Sequence, residues 1–165
     1  MKSKIRKHHN RPISLVCKRL SIAVILFITV IGAHANPLSR HEEPSFNGIN
    51  HFRRQFPQAT EVNYKVKGQF TEVDFIWNGL QLQAFYDLQG NPLATARTIG
   101  KNNLPVNVQL NLEKSYPNGV ITAAIEYTDV NDGLSYYVTV AGPKTDWLLH
   151  VSTSGDISVF KKMKH

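Results

Sequence analysis

Outside the first 35 residues, acid–base or metal chemistry would have to come from four histidines, His41, His51, His150 and His165, and from scattered carboxylates. His150 sits in an alternating segment. With Asp74 or Asp87 beside it, it could act as a general acid/base pair, a role that needs the two groups within hydrogen-bond reach inside a cleft. The sequence supplies neither a matched nucleophile nor a metal-spaced cluster to complete such a site, so no catalysis is expected. His41-Glu42-Glu43 has metal-ligating residue types but adjoins an expected cleavage point, where a mobile leader is the simpler account. His51 stands beside Phe52 on a helical segment and reads as a surface histidine, and His165 ends the chain. Asp129-Val130-Asn131-Asp132-Gly133 looks like a calcium loop. An EF-hand needs Gly at its sixth position and Glu at its twelfth, and counting from Asp129 gives Leu134 and Val140. That stretch is therefore read as a turn, and no metal or cofactor is expected.

What the chain offers instead is a surface. Phe70–Trp77 and Leu80–Asp87 alternate around Asn78-Gly79, a pair suited to the positive φ angles of a tight hairpin turn. A further turn at Gly90-Asn91 leads to a short run, Leu93–Thr95. Before this meander, Ser45 is a plausible N-cap for a helix carrying Phe46, Ile49, Phe52 and Phe56 on one stripe, stopped by Pro57. Glu61–Val66 is a first strand. After Arg97 the pattern restarts with a helix opened by Leu104-Pro105, carrying Val108, Leu112 and Tyr116, and stopped by Pro117. Strands are expected at Val120–Tyr127, Ser135–Ala141, Trp147–Ser152 and Ile157–Lys161. Pro143, in the turn Gly142–Thr145, is expected to splay the hairpin ends, because proline cannot donate to a ladder. If the helices cover the side bearing Val73, Phe75, Val138 and Val140, alternation turns Glu72, Asp74, Gln83, Phe85 and Arg97 outward in the first half. Tyr137, Thr139, Leu148, His150, Phe160 and Lys162 occupy the matching places in the second. Aromatics among charged and amide groups are the composition of a recognition surface.

The first 35 residues read as an address. Seven basic residues (Lys2, Lys4, Arg6, Lys7, Arg11, Lys18, Arg19) precede an apolar run, Leu20–Ile31, and the small-residue site Gly32-Ala33-His34-Ala35. That order is a secretory signal peptide with cleavage expected after Ala35. The run is shorter than the roughly 20 apolar residues of a membrane span, so no stable membrane insertion is expected after cleavage. Removing seven of the 19 Lys and Arg leaves 12 against 12 Asp and Glu, which removes the case for nucleic acid as a partner. The only cysteine, Cys17, leaves with the signal, and with it any disulfide or thiol chemistry.

Two halves can be overlaid. Phe56-Pro57 meets Tyr116-Pro117, while Val73, Phe75, Ala84, Tyr86 and Gly90 meet Val138, Val140, Leu149, Val151 and Gly155. The expected fold is α+β: a helix plus a four-stranded antiparallel sheet, twice over, forming one continuous curved sheet with the helices on one face. The expected division is a signal peptide 1–35, a leader 36–44 and a domain 45–165 made of repeats 45–100 and 101–162. The pieces Phe56–Val62, Phe85–Asp87 with Gly90, Leu104-Pro105, Tyr116-Pro117, Tyr136–Val138 and Ser152–Gly155 resemble, in order and spacing, the PepSY-like proteins described as similar to the β-lactamase inhibitor protein. The resemblance implies tandem helix-plus-sheet units in a secreted or periplasmic protein, and it carries no catalytic motif. The expectation is a non-enzymatic module that binds an envelope or extracellular protein or peptide, and possible inhibition of an envelope hydrolase or peptidase. Its partner-binding residues are Phe85, Tyr137, His150, Phe160, Glu72, Asp74 and Arg97. The alternative is a small-ligand or ion sensor using the space between the two units.

Overall fold

The computed structural model describes residues 43–165; the expected signal peptide, most of the leader and His41 lie outside the described residues. Helix α1 (Phe46–Gln55) precedes β1 (Thr60–Lys67), β2 (Phe70–Trp77), β3 (Leu80–Asp87) and β4 (Pro92–Ile99). A 3-10 turn (Lys101–Asn103) leads to α2 (Val106–Ser115), β5 (Val120–Asp129), β6 (Gly133–Ala141), β7 (Thr145–Ser152) and β8 (Ile157–Lys164). The eight strands form one antiparallel sheet in chain order, β1 to β8. Each strand pairs with its sequence neighbour, so every connection within a half is a hairpin. β4 runs on past the expected Thr95 to Ile99, and its pairing with β5 joins the halves.

Both helices pack on the same face. Phe52 and Phe56 bury themselves against Val73, Phe75, Ala84 and Tyr86. Val108 and Leu112 do the same against Ala124, Tyr136, Val138, Val140, Leu149 and Val151. Phe46, expected on the buried stripe, is 77% exposed, because it is the first residue of α1 and that end of the helix approaches the sheet through Gly48. The Ser45 side chain accepts the Gly48 amide at 3.1 Å and caps α1 as the sequence suggests.

Each helix is stopped and anchored in the same manner. The Phe56 and Tyr116 amides donate to Phe52 and Leu112, and the Ala59 and Gly119 amides then donate back to Phe56 and Tyr116. Gly90, at φ 84°, lies so close under α1 that a Cβ would fall on the backbone of Asn47 and Gly48. His51 Nδ1–H donates to the Gly90 carbonyl, so the expected surface histidine is half-buried and anchors the helix to the turn. At the other half, Asn111 Nδ2 donates to the Gly155 carbonyl at 3.1 Å, and Gly155 has φ 90°. The Gly142–Thr145 turn does not splay: the Gly142 amide donates to the Thr145 carbonyl at 3.1 Å, leaving Pro143 where no ladder bond is required.

Candidate functional site on the outer sheet face

Alternation along β2 and β3 places Phe70, Glu72 and Asp74 opposite Asp87, Phe85 and Gln83 on the face away from the helices. β1 adds Lys65 and Lys67, which pair with Glu72 and Phe70. Lys65 Nζ lies 2.6 Å from Asp74 and Lys67 Nζ 2.8 Å from Glu72. Gln83 Nε2 donates to both carboxylates, at 2.5 Å to Asp74 and 3.5 Å to Glu72. The hydrogen bond to Asp74 pushes the Lys65 ammonium above its ordinary value, against the opposing effect of burial. Charge in this half is thus satisfied internally. Lys65 and Lys67 were not singled out by sequence, although Tyr64 and Val66 on the covered side place them here by alternation.

The second half of the same face is aromatic. Tyr137 stands at its centre, with Tyr127 edge-on at 5.6 Å, His150 tilted at 5.0 Å and Phe160 perpendicular at 5.4 Å. Four strands, β5 to β8, each contribute one ring. His150 pairs directly with Tyr137, and burial holds its imidazole below the usual histidine range, opposed in part by the Asp132 carboxylate. Such edge-to-face packing fixes ring orientation, and each contact adds about 0.5–1.5 kcal/mol to the area it buries.

Arg97 is on the helix side, not the outer face. The β3–β4 register shifts between Phe85 and Tyr86, with Tyr86 opposite Pro92 and Phe85 opposite Ala94. The extra residue, Leu93, reverses the alternation for the rest of β4. Arg97 therefore points with Ile99 and forms a two-point ion pair with Glu126, 2.7 Å from Nε and 3.1 Å from Nη2. A bulge in β8 likewise leaves Lys161 opposite Leu148 and Lys162 opposite Trp147, so Lys162 belongs to the helix side while Phe160 keeps its ring on Tyr137. Glu72, Phe85 and Tyr137 lie on the expected face but are 2%, 1% and 8% exposed, with Phe85 packed edge-on against Phe70. On this face, Asp74, His150 and Phe160 are the members of the expected set that reach solvent.

The acid–base pairing is not formed. Asp74 belongs to β2, five strands from His150 in β7, and is held by Lys65 and Gln83. Asp87 is engaged by the amide and side chain of Asn91, at 2.8 and 2.9 Å. Asp129 Oδ1 accepts the Asn131 and Asp132 amides at 2.8 and 3.2 Å and closes its own turn. Among the described residues no group of three His, Cys, Asp or Glu side chains is placed to hold a metal ion, and no helix is long and apolar enough to cross a membrane. Where the two halves meet, the Arg97–Glu126 pair lines a cavity of about 170 Å³ with Trp77, Leu80 and Leu82.

Neither a family model nor a curated protein sequence matches the chain. Solved structures do. A BLIP-like protein of Bacteroides fragilis NCTC 9343 superposes with a TM-score of 0.67 at 24% identity, over 75% of this chain and 89% of that one. A DUF2874 family protein of Bacteroides ovatus ATCC 8483 gives 0.66 at 16% identity, over 74% and 89%. A protein of Bacteroides eggerthii DSM 20697, provisionally assigned to the periplasm, gives 0.65 at 11% identity, over 74% and 90%. At these identities the likeness is one of fold, and the fold of this chain is the one shared by the BLIP-like and DUF2874 structures.

Proposed function

We propose that the chain is a non-enzymatic binding module of the cell envelope, built from one helix-plus-four-strand unit used twice, and that it grips a protein or extended peptide on the sheet face opposite α1 and α2. The observation that carries this reading is the ring cluster around Tyr137. Two of its members, His150 and Phe160, are half-exposed on a pre-packed base, a combination typical of interface anchors. The paired stops at Phe56 and Tyr116 and the paired glycine turns at Gly90 and Gly155 support the repeated unit. Residues 1–35 act as the signal peptide, with cleavage after Ala35 and release into the periplasm or beyond. A likeness of fold to a BLIP-like structure makes an envelope hydrolase or peptidase the first partner to test, as a target of inhibition.

Two experiments test this directly. Amino-terminal sequencing of the exported protein should begin at Asn36, and an uncleaved chain would remove the address. A photo-crosslinking phenylalanine analogue at Phe160 should join the protein to a discrete envelope partner, whereas the same analogue at Val106, exposed on α2, should not. Equal crosslinking at both positions would contradict the assignment of the face.

A further inference from the structure

The helix side of the second half contains a cavity of about 340 Å³ whose floor is formed by Leu112, Tyr116, Ile121 and Val140. The two halves fill the space between helix and sheet with differently placed side chains. In the first half the space between helix and sheet is filled by rings, with Phe56 at 4.6 Å from Phe75 and 5.7 Å from Trp77. In the second half Val140, opposite Trp147, takes the place that Phe75 holds opposite Leu82, and the ring contact that remains is Tyr116 on Trp147 at 5.3 Å. Replacing a phenyl ring by an isopropyl group under a helix leaves room for a compact apolar group.

The rim is charged with both signs. Lys101, on the 3-10 turn, and Glu113, on α2, border the same cavity, and neither side chain has an ion-pair partner among the described residues. An ammonium and a carboxylate over an apolar floor complement a zwitterion with an apolar side chain. The volume lies at the lower end of the range for small-molecule sites, about 300–1,000 Å³. We propose that this cavity binds a free apolar α-amino acid, its side chain on Val140 and Ile121, its carboxylate toward Lys101 and its ammonium toward Glu113. The site lies on the face opposite the ring cluster, and it stands or falls independently of partner capture there.

The test uses L-leucine as probe against residues 36–165, read by amide chemical shifts. Saturable shifts confined to residues around Leu112, Ile121 and Val140, with a Kd on the order of 1 mM, are expected. 4-Methylpentanoate, which lacks the ammonium, and 3-methylbutylamine, which lacks the carboxylate, should each bind at least fivefold more weakly. Lys101→Ala should abolish the preference for leucine over 3-methylbutylamine, and Glu113→Ala the preference over 4-methylpentanoate. Both residues are exposed, so both variants should fold. Val140→Phe, which fills the floor, should remove binding if the variant folds, and the two rim variants decide the matter if it does not. No saturable shift with leucine, or equal binding of all three probes, would overturn the proposal.

Discussion

His150 is where the pH dependence of this fold should concentrate. Burial lowers its pKa from 6.5 in the folded state, so on acidification the unfolded chain takes up the proton first. The stability supplied by neutral His150 is therefore complete above about pH 6.5 and drains as the pH falls through that value toward the folded pKa. Urea midpoints measured from pH 7.5 down to 5 should fall for the native protein and fall less for His150→Phe; parallel declines would remove the role given to His150. Phe85 and Phe160 lie on the same face but differ in burial, which separates a folding role from the recognition role proposed for Phe160. Phe85→Ala, at a fully buried site, should cost about 3–5 kcal/mol, and Phe160→Ala, at the half-exposed bulge, about 1–2 kcal/mol. Equal losses in denaturant midpoint would mean that Phe160 belongs to the core. At the level of single residues the sequence was legible for Asp74, Tyr137 and His150, whose face follows from alternation and whose register holds, and Phe160 keeps its expected face although the register breaks at it. The sequence misplaced Arg97 and Lys162 because one extra residue in β4 and one in β8 reverse alternation, and nothing in Leu93 or Phe160 as residue types announces a bulge.

The elements themselves were readable because their punctuation is chemical. Asn78 and Gly79 take φ 51° and 74° in the β2–β3 turn, and Pro57 and Pro117 follow helices that end where a pre-proline residue must leave the α region. What sequence did not reveal is that Gly90 and Gly155 also act as contact points between elements. Gly79 and Gly90 both have positive φ, yet a Cβ at Gly79 would meet open space while one at Gly90 would meet α1. Gly79→Ala should therefore cost only the backbone term, about 1–2 kcal/mol, and Gly90→Ala clearly more, with α1 loosened. Hydrogen exchange at the α1 amides reads that difference: faster exchange in Gly90→Ala alone is expected, and identical exchange in the two variants would show that Gly90 serves the turn and nothing else. His51 belongs with this device. Its ring nitrogen holds the turn that Gly90 permits, a role invisible when the histidine is read only from its neighbours on the helix.

Among the described residues the sheet ends at β1 and β8, and each of these edges is protected. β1 is bulged between Thr60 and Asn63, with Glu61 at φ 51°. β8 is bulged near Phe160 and carries Lys161, Lys162 and Lys164. Bulges and lysines discourage a second chain from adding to an edge, which agrees with placing the proposed recognition on a face. Residues 36–165 should sediment as a monomer, and a dimer dissociated by changes at β8 would contradict this. The order of elements and the pairing of neighbours were legible because each half is closed by local turns. The burial of Glu72, Phe85 and Tyr137 was not, since alternation gives the side of the sheet but not the packing between neighbouring strands. In the proposed binding mode a partner would meet His150, Phe160 and the wet edge of the ion cluster, while the buried residues beneath them hold the surface in shape. The most direct measurement is partner capture from envelope and secreted fractions by residues 36–165, comparing the native chain, a His150→Ala, Phe160→Ala variant and a Val106→Ser, Leu110→Ser control on the exposed side of α2. A defined partner, saturable once purified, should be held by the native chain and the control and lost by the ring variant. The same partner held equally by all three would contradict this assignment of the face.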